Sequence, residues 1–258
     1  MNNIAIMKNH FYISYAGNKR QEVKTIYDTI DFTNIKTIIE PFAGTSAMSF
    51  YISTQQQNLN YVLNDNNEYL YDMFNIIRDD DALSKFENKI NNEIIPLIKC
   101  NKEAYDKYLK ENKNIYGWFI ANKFYAMRPG MYPQNGAYKN IDIKKCPIYE
   151  FYKNNNITFT KLDGVEVYEK YKNNKTNLIL LDPPYLMACN DFYVDSKVNI
   201  YEYFYNNKIE KEKAHVYLIL EDIWIIKLLF DGFMKCQYDK KYETTHKKTK
   251  HVIYYNKK

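Results

Sequence analysis

The chain has 258 residues, of which 46% are hydrophobic and 17% aromatic, and its formal net charge is +5 at pH 7. This length and apolar content exclude a disordered chain and indicate one large domain, or one domain with an insert. No apolar run approaches the roughly 18 residues that cross a bilayer, and the first residues lack the apolar core of a secretory signal. We therefore expect a cytoplasmic protein without a membrane partner. The four cysteines are far apart in sequence and the histidines do not cluster near them, which argues against disulfides and against a metal site.

The N-terminal stretch combines a short run of β-prone residues with a turn. The run lies within residues 11–19, and the turn is predicted at Gly17-Asn18. A helix is predicted next, over residues 23–30, because apolar residues recur there on one helical face. Alone, this strand, turn and helix do not specify a function.

A stronger pattern follows, in which an apolar strand runs into a loop of small residues and then a helix. Thr37-Ile38-Ile39 is typical of a buried parallel strand, and a helix is predicted from about Ala47. Gly44 and its small neighbours let the backbone approach a ligand, while the helix N-terminus presents free N–H groups. A single glycine disfavours a dinucleotide pyrophosphate. Glu40, at the strand end, favours a cationic nucleoside derivative such as a sulfonium.

An acid also follows the second predicted strand, Tyr61-Val62-Leu63. Asp65 comes about 20 residues after Gly44, the spacing at which nucleotide-binding α/β proteins hold ribose hydroxyls. Asp65 could instead cap the helix predicted over residues 68–75. We expect the ribose role, with the cap as the alternative.

The alternation of strands and helices stops between residues 66 and 147. Helices without a convincing strand are predicted over residues 68–78, 81–95, 102–110 and 116–125. A turn-rich segment follows and contains Arg128. A helical insert with a polar loop is a usual place for substrate selectivity, and arginine is the common reader of guanine in the major groove. A surface arginine without this role is the alternative.

The alternation then resumes. A short helix is predicted over residues 148–152, a strand over 157–160, a helix over 167–171 and an apolar strand over 177–181. Asp163, at the end of the first of these strands, could meet an adenine ring or its amino group. It could equally cap the helix after it.

The apolar strand Asn177–Leu181 stops at Asp182-Pro183-Pro184-Tyr185. Because proline lacks an N–H, the strand ends there, at the edge where open α/β sheets place their ligands. An exocyclic amino group of a base is a poor nucleophile, because its lone pair is delocalised into the ring. The Asp182 carboxylate and the Pro183 carbonyl can accept hydrogen bonds from the two N–H groups of such an amine. Tyr185 offers a face for a flipped base. A strand-end turn with a core tyrosine is the alternative.

The C-terminal part contains a predicted loop, a further strand and helix, and a hairpin. Residues 187–205 are aromatic and loop-like, residues 216–220 form a strand, and residues 223–230 form a helix. Two alternating segments, 236–242 and 251–255, predict an antiparallel hairpin at the sheet edge. Its basic tip suits contact with phosphate, although a charge run is more often a solvated face. Part of the lysine excess reflects the AT-rich coding bias that frequent Asn, Lys, Ile and Tyr indicate.

Four motifs, in their order along the chain, resemble the Dam-type DNA adenine methyltransferases. They are Tyr15-Ala16-Gly17-Asn18-Lys19, Glu40-Pro41-Phe42-Ala43-Gly44-Thr45-Ser46, Asn64-Asp65 and Asp182-Pro183-Pro184-Tyr185. The resemblance covers nearly the whole chain and implies S-adenosylmethionine as methyl donor, without a metal. The catalytic residues it implies are Asp182, Pro183 and Tyr185. Together with Asp163, the expected donor-binding residues are Tyr15, Lys19, Glu40, Phe42, Gly44, Thr45, Ser46, Asp65 and Asp182.

A looser resemblance concerns contacts with DNA. Residues 120–128 are similar to the family's Asn-Arg-x-x-x-Asn-Gly-x-x-Arg stretch, but a lysine stands for the arginine and the Asn-Gly is absent. No particular target sequence therefore follows. This stretch and the hairpin tip give the expected nucleic-acid contacts Asn122, Lys123, Arg128, Lys247 and Lys248.

The predicted fold is α/β, a Rossmann-like methyltransferase sheet with a C-terminal antiparallel hairpin and a helical target-recognition insert. We expect methyltransferase parts over residues 1–66 and 148–258, with the insert over 67–147. The predicted reaction is site-specific methylation of the 6-amino group of a flipped-out adenine in double-stranded DNA. The alternatives are a cytosine-N4, RNA or protein amide methyltransferase, and a catalytically silent DNA-binding relative. A monomer or weak dimer, of bacterial, phage or viral type, fits these expectations.

Overall fold

A sheet of seven strands organises the part of the chain that the structure describes. The computed structural model describes residues 11–15, 17–124, 138–154, 156–184, 200–206, 209–230, 232, 234–241 and 248–257. Within these residues the strand order is β3-β2-β1-β4-β5-β7-β6. The strands are β1 Thr37–Glu40, β2 Asn60–Asn64, β3 Ile157–Thr160, β4 Asn177–Leu181, β5 His215–Glu221, β6 Met234–Lys241 and β7 Lys248–Tyr255. Neighbours among β1 to β5 run parallel, whereas β7 is antiparallel to both β5 and β6.

The helices of the described chain precede the sheet and lie between its strands in sequence. They are α1 Val23–Tyr27, α2 Ala47–Gln55, α3 Glu68–Arg78, α4 Asp80–Lys89, α5 Ile95–Ile98, α6 Lys102–Glu111, α7 Ile115–Phe124, α8 Ile148–Lys153, α9 Gly164–Tyr171, α10 Ile200–Asn206 and α11 Trp224–Leu229. A π-helical turn, Ile90–Ile94, joins α4 to α5. Because α3 to α8 lie between β2 and β3 in the chain, the predicted α/β fold with a helical insert and a C-terminal antiparallel hairpin is confirmed. Among the described residues, we find no helix with the length and apolar character needed to cross a membrane.

The central strands of the sheet are apolar runs that are buried along nearly their whole length. Every residue of β4 is buried, and β5 is buried except at its two ends. Nearly continuous apolar strands are typical of parallel sheets that are covered on both faces. Ile38 of β1 pairs with Leu178 of β4, so these two strands end at the same edge of the sheet. The strand order reverses between β1 and β4, which is where open α/β sheets bind ligands.

The described chain divides into two compact units. One holds the sheet and comprises Lys19–Asn67 with the described residues of Asn155–Lys258. The other holds α3 to α8 and comprises the described residues of Met1–Asn18 and of Glu68–Asn154. In the helical unit the buried face of α3 is formed by Leu70, Met73, Phe74 and Ile77. The helical unit also includes residues 11–15, 17–18 and α8, which the predicted insert over residues 67–147 does not. The domain boundaries at 66 and 147 stay a prediction.

The N-terminal segment is not the strand that its β-prone residues predict. Residues 11–15, where the structure describes this segment, have no strand partner. Instead, the Ser14 N–H donates to the carbonyl oxygen of Asn122 in α7 at 3.1 Å. The ring of Tyr12 is buried and stacks on Phe119, with the ring centroids 6.4 Å apart. The apolar side chains of this segment thus serve packing against helices.

Residues 200–206 are helical, which corrects the loop predicted for residues 187–205. Phe204 of α10 belongs to the core of the sheet unit: it is buried and lies edge-on to Tyr168 of α9, with the ring centroids 5.1 Å apart. Phe204 therefore anchors a helix here, which its aromatic type alone did not indicate. The rest of the predicted loop, residues 187–199, lies outside the described residues.

Asn64, at the end of β2, joins three connections at the carboxyl edge of the sheet. Its Nδ2 donates to the carbonyl oxygens of Pro41 and Leu162 at 2.9 and 3.0 Å. Its Oδ1 accepts from the Thr160 hydroxyl at 2.7 Å and from the Leu162 N–H at 2.8 Å. Asn64 is fully buried, and its bond to Pro41 is buried with it, whereas the bonds to Thr160 and Leu162 are partly buried.

We expect Asn64→Ala to lower the free energy of unfolding by about 3 kcal/mol, because it leaves several buried polar groups without their partner. Thr160→Val is the matched control, since it removes only one of the four bonds and should cost about 1 kcal/mol. Urea unfolding followed by circular dichroism measures both values. Equal losses in the two variants would show that Asn64 does not organise this edge.

Candidate active site

The turn after β4 is held by a buried cation. Nζ of Lys19 lies 2.5 Å from Oδ2 of Asp182, and the two side chains are only 5% and 22% exposed. Pro183 is buried, and the hydroxyl of Tyr201 in α10 donates to the carbonyl oxygen of Pro184 at 2.9 Å. The acid and the first proline therefore occupy a fixed position at the sheet edge. Tyr185 lies outside the described residues, so its stacking role stays a prediction.

Glu40 ends β1 as a buried acid. Its Oε1 accepts the backbone N–H of Ser49 in α2 at 2.8 Å. Burial raises the pKa of Glu40 to about 7. The hydrogen bonds from Ser49 lower this pKa in part, and the negative charge of Asp182 raises it further. A carboxyl group with this pKa is partly ionised near neutral pH, and a nearby cation would stabilise its charged form.

The loop between β1 and α2 turns through two residues with positive φ. They are Gly44 at 52° and Ser46 at 54°. The Ser46 N–H donates to the carbonyl oxygen of Ala43 at 2.7 Å, which tightens the turn ahead of α2. The Ser46 hydroxyl is buried without a hydrogen-bond partner among the described residues. Thr45 is buried beside it. A buried hydroxyl of this kind suits a polar group of a bound ligand.

Asp65 lies in contact with the same loop. Its Oδ2 accepts the Gly44 N–H at 2.9 Å, and its Oδ1 accepts the Asn67 N–H at 3.0 Å. Burial raises the pKa of Asp65, and these two hydrogen bonds partly offset the rise. A carboxylate has about four acceptor positions, so a ribose hydroxyl can still donate to it. The bond to Asn67 closes a turn just before α3 begins at Glu68. In this respect Asp65 resembles the helix cap that the sequence offered as the alternative.

Phe42 packs where α9 begins, and this contact requires a glycine. A Cβ atom at Gly164 would lie 2.3 Å from the Phe42 ring. Asp163 is the N-cap of α9, and its carboxylate accepts the Val165 N–H at 2.8 Å. The helix thus starts at Gly164, earlier than the predicted residue 167. The cap, one of the two alternatives for Asp163, is observed, whereas a contact with the donor stays a prediction.

A second buried charge cluster, which the sequence did not reveal, surrounds Glu22. Its Oε1 lies 2.6 Å from Nζ of Lys240, and its Oε2 lies 3.2 Å from Nδ1 of His251 and accepts the Tyr238 hydroxyl at 2.7 Å. Tyr238 and Lys240 alternate on β6, and Tyr238 is opposite His251 on β7, so one hairpin face supplies all three. Burial favours the neutral acid, but Lys19, His251 and Lys240 together hold the pKa of Glu22 well below its usual range.

Tyr15 and the glycine turn after it belong to the helical unit. The Tyr15 ring lies beside Trp118 of α7, with centroids 6.3 Å apart. Gly17 has a φ of 74°, which glycine adopts at little cost, and the Asn18 N–H donates to the Tyr15 carbonyl oxygen at 3.3 Å. The predicted turn at Gly17-Asn18 is present. A contact of Tyr15 with the donor stays a prediction.

The expected DNA contacts lie only partly within the described residues. Asn122 is on α7, and its Nδ2 donates to the Trp118 carbonyl oxygen at 2.8 Å. Burial lowers the pKa of its neighbour Lys123. Lys248 begins β7, with its side chain outside the described set. Arg128 and Lys247 lie wholly outside it. Contacts of these five residues with DNA stay predictions.

These features define a class of protein. The strand order, the antiparallel C-terminal hairpin, the acid-lined loop after β1 and the acid–proline–proline turn after β4 form a Rossmann-like fold of the methyltransferase type. Residues 15–117 match the family model of the D12 class N6 adenine-specific DNA methyltransferases. The chain is also 25% identical to the Type II methyltransferase M.CviBI of Paramecium bursaria Chlorella virus NC1A, with 89% of this chain and 90% of that protein covered. The resemblance to the DNA adenine methyltransferases is thereby confirmed, and both matches support a methyltransferase.

One solved structure is similar over almost its whole length but only distantly. It is precorrin-6y C5,15-methyltransferase from Geobacter metallireducens GS-15, with a TM-score of 0.41 and 10% identity over 98% of this chain and 96% of that chain. A likeness at this level carries no argument about function.

Proposed function

We propose that this chain transfers a methyl group from S-adenosylmethionine to the 6-amino group of an adenine flipped out of double-stranded DNA. The observation that carries the proposal is the position of Asp182, a carboxylate at the carboxyl end of β4 that is paired with the buried Lys19. The match of residues 15–117 to adenine-specific DNA methyltransferases supports adenine as the target.

Asp182 and Pro183 supply the two hydrogen-bond acceptors that the reaction needs. The lone pair of an exocyclic amino group is delocalised into the base. Acceptors aimed at both of its N–H bonds pull the nitrogen toward tetrahedral geometry and free that lone pair. Bound S-adenosylmethionine supplies a sulfonium methyl group that already carries its leaving group. The amine proton can pass to the Asp182 carboxylate during or after transfer, so Asp182 need not act as a strong base.

The residues after β1 and β2 fit this donor. Glu40 is a buried acid whose charged form a sulfonium would stabilise. The unpartnered hydroxyl of Ser46 and the carboxylate of Asp65 suit the polar groups of the ligand. We propose that these three residues hold the donor together with Lys19 and Phe42. The donor contacts of Tyr15, Gly44, Thr45 and Asp163 are proposed on the family resemblance.

The affinity for the donor is expected to depend on pH through Glu40. Because its pKa is about 7 without a ligand, Glu40 must lose a proton below that pH before it can pair with a cation. The affinity for S-adenosylmethionine should therefore fall about tenfold per pH unit below pH 7 and level off above it. Isothermal titration between pH 5.5 and 8.5 measures this slope.

Two controls isolate Glu40. Glu40→Gln should flatten the slope, and S-adenosylhomocysteine, which lacks the sulfonium charge, should bind the unaltered protein with little pH dependence. A slope of equal size in the variant would assign the titration to another group.

DNA binding is proposed for the helical unit and the hairpin. Asn122, Lys123 and Arg128 are candidates for reading the target, while Lys247 and Lys248 are candidates for phosphate contact. The relative M.CviBI is named a Type II methyltransferase. We propose a role of the same restriction-modification kind for this chain.

The proposed function is tested by mapping methylated bases. The chain is expressed in cells that lack adenine methylation, and their DNA is sequenced by a method that detects modified bases. We expect N6-methyladenine within one short sequence context, and none in cells that express Asp182→Ala. Unmodified adenine, or modified cytosine in its place, would contradict the proposal.

A further inference from the structure

We infer that Glu22 is a positioning residue for methyl transfer, which ties the C-terminal hairpin to the segment that carries Lys19 and so holds Lys19 on Asp182. This inference rests on the proposed function, because it gives Glu22 a part in the same reaction. Glu22 lies in none of the motifs that resemble the methyltransferase family.

The backbone couples Glu22 to Lys19 directly. The N–H of Glu22 and the N–H of Val23 both donate to the carbonyl oxygen of Lys19, at 2.7 and 2.9 Å. These two bonds form the tight turn that leads into α1. A shift of Glu22 therefore moves the residue whose ammonium group contacts Asp182.

The side chain of Glu22 is anchored by the hairpin. Lys240, His251 and Tyr238 approach its two carboxylate oxygens from neighbouring positions of β6 and β7. The side chains of Glu22 and Lys240 are 5% and 9% exposed, and that of His251 is fully buried. Because rotation of a buried, multiply bonded carboxylate would break these contacts, its position is well determined.

Acids and bases alternate from Asp182 through Lys19 and Glu22 to Lys240, so the carboxylate of Glu22 separates two ammonium groups in charge. Asp182 and Glu22 are acids, and Lys19 and Lys240 are the bases paired with them. Burial and the neighbouring charge of Lys19 both lower the pKa of Lys240, which shows that the two ammonium groups repel. Without Glu22, Lys240 would lose the carboxylate that lies 2.6 Å from its Nζ, and the repulsion between the two mostly buried ammonium groups would be less well offset. We expect Lys19 to move, and the acceptor geometry of Asp182 to loosen with it.

A purely structural role, in which the cluster only fastens the hairpin to the sheet, makes different predictions. It would lower stability and leave the rate of the folded enzyme unchanged. A positioning role lowers the rate of the chemical step in protein that remains folded and is saturated with the donor.

The test compares Glu22→Gln, Glu22→Asp and Tyr238→Phe with a matched control, Glu169→Gln, which alters an exposed acid paired with Lys172 in the same unit. Single-turnover methylation of DNA is measured at saturating S-adenosylmethionine, below the onset of unfolding of each variant. We expect this single-turnover rate to fall at least tenfold in Glu22→Gln. Glu22→Asp, which keeps the charge, should recover part of the loss, and Tyr238→Phe should lose about threefold.

A second readout does not depend on activity. Urea unfolding of Glu22→Gln, Lys19→Met and the double variant forms a cycle, in which coupled residues should deviate from additivity by at least fivefold in the unfolding equilibrium constant. Additive effects in this cycle overturn the inference. So do rates of Glu22→Gln and Tyr238→Phe within twofold of the Glu169→Gln control. If the unaltered protein transfers no methyl group, the proposed function fails, while the cycle still decides whether Glu22 acts on Lys19.

Discussion

Replacing Asp182 by alanine is expected to lower the rate of methyl transfer by about a thousandfold, while the affinity for S-adenosylmethionine changes little. The variant loses one of the two acceptors that act on the amino group, and the other, the Pro183 carbonyl, cannot replace it. The acids that we propose for the donor, Glu40 and Asp65, stay in place. Single-turnover kinetics with DNA measure the rate, and isothermal titration measures donor binding.

Asp182→Asn is the matched control for this prediction. It keeps the shape of the side chain and one oxygen acceptor, but it replaces the charge that pairs with Lys19. We expect its rate to lie between those of the alanine variant and the unaltered protein. An alanine variant with nearly full activity would exclude Asp182 from the chemistry.

Lys19→Met is expected to reduce both stability and activity. It leaves the Asp182 carboxylate without its cation and removes one of the charges that keep Glu22 ionised. Breaking a buried ion pair on one side typically costs about 4 kcal/mol, and partial exposure of Asp182 brings the expected loss of unfolding free energy to about 3 kcal/mol. We expect the methylation rate to fall about a hundredfold, because Asp182 is no longer held in place.

The control for Lys19 is Lys24→Met, which removes the cation of an exposed ion pair with Asp28 on the same segment. Solvent screens such pairs, so stability and rate should both stay within error of the unaltered protein. Urea unfolding and single-turnover kinetics are measured on both variants. Loss of stability in Lys19→Met without loss of rate would restrict Lys19 to a structural role.

Much of the sheet could be predicted because its buried strands are short apolar runs that end in distinctive residues. Asn177–Leu181 before Asp182 and Thr37–Glu40 before the glycine loop are clear examples, and both strands form with these ends at one edge. The antiparallel hairpin followed from alternation of side chains, which reports a strand with one covered face. Local signals of this kind need no knowledge of distant contacts.

The contacts that escaped prediction depend on residues far apart in the chain. Tyr238 and Glu22 are 216 positions apart, and they meet only because the register of β6 and β7 directs one hairpin face toward Glu22. A local sign existed in the three-residue spacing of Lys19 and Glu22, but a pair of opposite charges at this spacing is common on exposed helices. The loop predicted around Phe204 was wrong for a related reason. The sequence does not reveal whether an aromatic side chain lies in a loop or anchors a helix.

Asp163 shows why residue type and position at a strand end leave two roles open. A carboxylate there can meet a ligand or cap the next helix, and the structure shows the cap. Asp65 differs, because its carboxylate accepts an N–H from the glycine loop in addition to one from Asn67. Only the course of the chain around each acid distinguishes these two cases.

Methyl transfer to adenine in DNA is tested most directly by one measurement. The purified protein is incubated with S-adenosylmethionine labelled in its methyl group and with unmethylated double-stranded DNA, and the DNA is digested to nucleosides. We predict label in N6-methyladenine alone, with labelling about a thousandfold slower when Asp182→Ala replaces the unaltered protein. Label in N4-methylcytosine, or no label in DNA from the unaltered protein, would contradict the account.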